Sequence, residues 1–199
     1  MKSLYESILS STNAGKTSII KAWLDEHNIK NYTINSKGEI DVDGSVVLTN
    51  NNFGEFPKYI QFNIVKGDFY CNFNKLTSLK GCPKKIEGKF DCSNNNLTTL
   101  EGSPESVGLD FYCHNNKLKT LEGAPKEVGR DFDCSYNNLT SLEGAPEKVG
   151  DWFYCDNNKL ISLEGAPKEA KYFNCEKNPA RFLKDDVKEV CKVEKKICV

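Results

Sequence analysis

Six cysteines recur at an almost fixed interval. Cys71, Cys92, Cys113, Cys134 and Cys155 lie 21 residues apart, and Cys175 follows after 20. A period of this size marks a solenoid, in which each repeat is one turn stacked on copies of itself. Other columns keep the same period. Phe69, Phe90, Phe111, Phe132, Phe153 and Phe173 stand two residues before the cysteines, and Asn74, Asn95, Asn116, Asn137, Asn158 and Asn178 three after. Leucines follow at five and eight residues (Leu76 and Leu79 in the first copy), then Gly81 and Pro83 and their equivalents. An aliphatic residue precedes each of the first five phenylalanines by four: Val65, Ile86, Val107, Val128, Val149.

These columns assign their own roles. Phe-x-Cys alternates with the period of a half-buried strand, so the residue between must face the other way. The strands of successive turns would run parallel, about 4.8 Å apart. An asparagine stacked at every turn can use its donors and acceptor on the backbone of tight bends. Gly-x-Pro is too short and too hostile to helix for a helical return arm, which should be extended or one loose turn. An earlier, degenerate turn reuses the roles through Val46, Leu48, Asn51, Phe53, Phe56 and Pro57. That gives about six full turns plus this one.

The pattern Phe-x-Cys-x-x-Asn-x-Leu-x-x-Leu-x-Gly-x-Pro resembles the leucine-rich repeat, with Phe and Cys in strand positions usually held by Leu. The resemblance covers about residues 45–183. The short turns, and the run from Asn74 to Lys85, look most like the short leucine-rich repeats of bacterial and bacteriophage proteins. It implies an α/β solenoid, mostly β, with parallel strands and a helical cap at each end. The expected divisions are an N-terminal cap over 1–44 (two helices and a hairpin), repeats over 45–179 and a C-terminal cap over 180–199.

The ends fit that division. Leu4, Ile8 and Leu9 mark a first helix; Ile19, Ile20, Trp23, Leu24 and His27 mark a second, stopped near Asn28. Tyr32, Ile34, Ile40 and Val42 alternate across a Ser36-Lys37-Gly38 turn, a hairpin signature. Phe182, Leu183, Val187, Val190 and Cys191 fall at helical spacing, and 193–199 reads as a last short strand.

A net charge of −1 implies no bulk attraction to nucleic acid or membrane. No apolar run approaches a membrane span, and the start lacks the apolar core of a signal peptide. Of nine cysteines, six occupy one inward column, where they act as small apolar residues. Cys82 sits where other turns carry Ser103 or an alanine, and Cys191 and Cys198 lie outside the column. Free thiols suit a reducing cytoplasm. With no Cys-x-x-Cys and only His27 and His114, no metal or other cofactor is expected. Gly15-Lys16-Thr17 is half of a phosphate loop, but the first glycine is replaced by Ser10, and the preceding segment reads as helical.

The outward columns are where turns differ. Between Phe and Cys stand Val47, Tyr70, Asp91, Tyr112, Asp133, Tyr154 and Asn174. One residue after Cys come His114 and Asp156; two after, Phe73 and Tyr136; three before, Asp68, Asp110, Asp131 and Trp152. In a leucine-rich repeat this strand face lines a concave, partner-binding surface. Its carboxylates and aromatic rings suit lysine and arginine side chains. Glu101, Glu122, Glu143 and Glu164 recur as a solvated edge. The expectation is a monomeric, cytoplasmic, non-enzymatic protein that binds a protein or peptide with a basic contact surface. The phage resemblance would place it in host cytoplasm, acting on a host factor. A structural or virion-associated component is the alternative, and nucleotide binding through Gly15-Lys16-Thr17 a further one.

Overall fold

The Phe and Cys columns are buried at every turn, because each ring can only leave water by lying on the ring of the next turn. In the computed structural model, which describes residues 13–199, these columns form the centre of a parallel β-solenoid. The rings of Phe69, Phe90, Phe111, Phe132, Phe153 and Phe173 follow one another at centroid distances of 5.1–6.0 Å. The leucines at Leu76, Leu97, Leu118, Leu139 and Leu160 are fully buried behind them.

Each repeat contributes two short strands, which build two parallel ladders. One ladder runs Val46–Val47, Phe69–Tyr70, Phe90–Asp91, Phe111–Tyr112, Phe132–Asp133 and Trp152–Tyr154, with phenylalanines in register. The other runs Ile40–Val42, Phe62–Val65, Lys85–Ile86, Ser106–Val107, Glu127–Val128 and Lys148–Val149. The longer strand Glu169–Asn174 joins both. The aliphatic column thus belongs to a second ladder in what had read only as an extended arm. Between the ladders the chain bends through a glycine, for example Gly129, whose added Cβ would strike the Gly108 carbonyl of the previous turn.

Asparagine holds the bend after each cysteine. Asn95 Nδ2 donates to the carbonyls of Cys71, Cys92 and Ser93 at 3.0–3.1 Å, and its Oδ1 accepts from Leu76 N at 2.9 Å. Asn116, Asn137 and Asn158 repeat the set one turn further on each time. One side chain therefore ties two successive turns together, satisfying backbone groups that no ladder reaches.

All nine cysteines are free thiols, and only Cys198 is more than slightly exposed. Burial pushes the thiols of Cys113, Cys134 and Cys155 well above their ordinary range, so they stay neutral. A thiol reagent added to native protein should therefore label Cys198 first and the Cys71–Cys155 column only on unfolding. Rapid labelling of several thiols would contradict the buried column.

The N-terminal end is closed by helix α1 (Asn13–Glu26), which buries Ile19, Ile20, Trp23 and Leu24. Trp23 stacks on His27 at 4.1 Å and meets Phe53 and Phe62 at 6.2 and 6.4 Å. Gly15, Lys16 and Thr17 lie inside α1 rather than in a loop. The expected helix at Leu4, Ile8 and Leu9 lies outside the described residues. The hairpin pairs Tyr32–Ile34 with Ile40–Val42, and Gly38 takes the turn at φ 81°.

At the other end helix α2 (Lys184–Val190) buries Val187. The strand Lys192–Cys198 then pairs parallel with Glu169–Asn174, placing Ile197 beside Phe173. This segment is an added rung, the eighth in the phenylalanine ladder counting from Val46. Its exposed Lys192, Lys195 and Lys196 discourage pairing of that edge with another chain. No helix among the described residues is long and apolar enough to cross a membrane.

Candidate binding face

The outward columns beside the phenylalanine ladder contain every residue expected to bind a partner, but their environments differ. Three residues before the cysteine, the backbone has just left one ladder and not yet joined the next, so its N–H needs another acceptor. Asp68 Oδ1 accepts from Lys89 N at 2.8 Å, Asp110 Oδ1 from Asp131 N at 3.2 Å, and Asp131 Oδ1 from Trp152 N at 3.1 Å. Asp110 is 2% exposed, with Lys89 Nζ at 2.9 Å and Arg130 Nε at 3.8 Å. Burial pushes its carboxyl up, but the Lys89 bond and the backbone N–H of Asp131 outweigh it, and the net shift is downward.

The column between Phe and Cys alternates Tyr with Asp or Asn for a related reason. Asp91 and Asp133 accept from the backbone N–H two residues on, Ser93 and Ser135, at 2.9 Å, and Asn174 does the same for Glu176 at 3.1 Å. Asp91 also accepts from Asn72 Nδ2 and is buried. Tyr70 leans the other way and donates to Asp68 Oδ2 at 3.0 Å. Burial and then the charges of Asp110 and Asp131 hold the Tyr112 hydroxyl far above its ordinary 10.0. Burial and the same kind of neighbours push Tyr154 to about 12.

Two expectations are corrected here. Asp91 and Asp110 are not open carboxylates awaiting a cation; they are buried and already hold backbone and side-chain donors. Asp131 and Asp156 also hold donors, Trp152 N on the first and the Nδ2 groups of Asn157 and Asn174 on the second, but lie nearer the surface. Asp131 and Asp156 are half-buried, with no Lys or Arg in ion-pair distance among the described residues. Burial first, and neighbouring carboxylates besides, raise both above the usual carboxylate value.

His114 Nδ1 lies 3.3 Å from Asp133 Oδ2 but is not aligned on it for a hydrogen bond. Proximity to Asp133 raises the imidazole above its ordinary 6.5, burial working against it and Asp91 assisting. A raised cationic pKa stabilises the fold fully below 6.5, and the contribution is lost as pH rises through the folded value. A proton-NMR titration should place His114 above 6.5, and Asp133→Asn should bring it down. A midpoint unmoved by Asp133→Asn would show that the pair is not coupled.

The aromatic residues fall in two groups. Trp152 is stacked between Tyr154 at 4.9 Å and Tyr172 at 4.4 Å, within 8° of parallel, and Lys195 Nζ lies 5.5 Å from the Tyr172 ring. Phe73 and Tyr136 are different. They stand two residues after the cysteine, where the backbone is left-handed at every turn, with φ near 52–58°. Asn50, Asn94, Asn115 and Asn157 fill that position elsewhere, a residue type that tolerates it. Lys177 is the third exception. Phe73 is 56% exposed and Tyr136 51%. Two bulky rings are thus held in an unfavourable backbone conformation with about half of their surface left in water.

Among the described residues no group of three or more His, Cys, Asp or Glu could hold a metal. The most voluminous cavity described, about 530 Å³, is on another surface, lined by Lys37, Glu39, Lys84 and Glu105 among others. Its Lys84–Glu39 pair, 2.7 Å apart, already neutralises itself. No protein-family model matches the chain, and neither does any curated protein.

Proposed function

We propose that the protein is a non-enzymatic binding solenoid of the leucine-rich-repeat type, which takes a protein or peptide on the strand face beside the phenylalanine ladder. The observation that carries this reading is the placement of Phe73 and Tyr136. A left-handed bulky residue costs about 1 kcal/mol relative to one suited to it. About half of each ring stays in water all the same, far more than a residue kept for the core would leave, which supports a role for the rings outside the chain. Exposed aromatic side chains on a rigid scaffold are the residue types that dominate protein interfaces. Tyr112, Tyr154, Trp152 and the half-buried carboxylates of Asp131, Asp133 and Asp156 suit the same surface to a basic partner. The resemblance to short phage and bacterial repeats suggests a host protein in the cytoplasm as that partner.

The test is a capture experiment from host lysate with three baits: the natural chain, Phe73→Asn/Tyr136→Asn, and Glu143→Ala on the solvated edge. The double variant should lose the captured protein, while the edge variant keeps it. Retention by the double variant with loss by Glu143→Ala would move the interface to the edge.

A further inference from the structure

The backbone of the candidate face limits what can lie on it. At the left-handed position each N–H is already bonded to the next turn: Phe73 N to Ser93 O, Asn94 N to His114 O, Asn115 N to Ser135 O, Tyr136 N to Asp156 O and Asn157 N to Glu176 O, all at 3.0–3.2 Å. The flanking cysteine N–H groups are bonded in the same way, as Cys92 N to Tyr112 O and Cys113 N to Asp133 O show. No free row of donors and acceptors remains along this surface. A strand laid across it could not join the ladder and would depend on scattered side chains for its own N–H and C=O groups, which is costly where they are not met. A helix bonds its backbone internally and carries no such penalty.

Spacing and charge agree with a helix. Phe73 and Tyr136 are three turns apart in one column, about 14 Å at the spacing of parallel strands. Residues on one face of a helix, three helical turns apart, lie about 16 Å from each other. A helix spanning both rings must run along the stacking axis, across the strands. Such a path carries it past Asp133 and Asp156, the latter bonded through its carbonyl to Tyr136 itself. Asp131 lies in the same turn as Asp133, and among the described residues neither Asp131 nor Asp156 has a Lys or Arg in ion-pair distance, Arg130 and Lys177 acting on them only from further away.

Resting on the reading of this face as a binding surface, we infer that its occupant is a basic amphipathic helix lying along the solenoid axis, anchored on Phe73 and Tyr136. Its apolar stripe meets the two rings, and its lysines or arginines meet Asp131, Asp133 and Asp156.

The experiment uses three synthetic probes of about 18 residues, roughly 27 Å as a helix. One is a leucine–lysine peptide patterned for a helix. The second has the same composition in strict alternation, patterned for a strand. The third replaces lysine by glutamate in the helical pattern. Each is titrated calorimetrically into the full chain and into Phe73→Asn/Tyr136→Asn. That variant should fold, since asparagine already occupies the same backbone conformation at Asn94, Asn115 and Asn157. The basic helical probe should bind at least about tenfold more tightly than either other probe, and lose about tenfold or more in the double variant.

If the strand-patterned probe binds as well, with the same dependence on the two rings, the helix inference is wrong while the face survives. If the basic helical probe binds the variant as well as the natural chain, the reading of the face itself falls. If it does not bind the natural chain at all, the basic-helix inference is overturned.

Discussion

Phe111→Ala should lower the stability of the chain by about 3–5 kcal/mol in a denaturant titration, the range expected for deleting a fully buried ring. The ring is completely buried, 5.1 Å from both Phe90 and Phe132. Its removal leaves a gap that neither neighbour can close, because each is fixed by the ladder registers on its own strand. Stability in a solenoid is a sum of turns and of the interfaces between neighbouring turns, so this change weakens two interfaces at once. A loss below about 1 kcal/mol would mean that the column packs loosely.

A substitution in the asparagine ladder should be nearly as severe. Asn116 donates to the carbonyls of Cys92, Cys113 and His114 and accepts from Leu97 N. Asn116→Ala removes all four bonds and leaves buried backbone groups unpaired, at an expected cost of about 3 kcal/mol or more. Asn116→Asp is the sharper test. It keeps the acceptor for Leu97 but turns a donor into a negative charge facing three carbonyl oxygens. The aspartate variant should be less stable than the alanine variant at neutral pH and recover as pH falls, because protonation restores a donor and removes the charge. If it equals the natural protein at pH 7, the amide donors are not holding the bend.

The period, the buried columns and the role of asparagine were all legible in the sequence, because each depends on contacts between identical positions in neighbouring turns. The features that escaped depend on something else. Lys85–Ile86 and its equivalents are strands of two residues, too short to carry an alternation, and their pairing comes only from stacking. The last rung has Ile197 where the others have Phe, carries its Cys198 directly after it with no residue between, and follows at a different spacing with a helix between, so Ile197 does not announce itself as the neighbour of Phe173. Burial of Asp110 is set laterally by Lys89 and Arg130 from adjacent turns, which a reading by columns treats as unrelated residues. The left-handed position left a trace in its asparagines. Phe73 and Tyr136 were chosen for exposure and ring chemistry, and their backbone conformation adds an independent reason to single them out.

On the proposed function, Phe73 and Tyr136 are kept for a partner and not for the fold. The melting temperature of Phe73→Asn/Tyr136→Asn tests this without any partner in hand. Asparagine relieves the backbone at both positions, which offsets the partial burial that the rings give up, so the variant should melt within a few degrees of the natural chain. A melting temperature several degrees lower would show that the two rings support the solenoid, and would contradict their assignment to a binding surface.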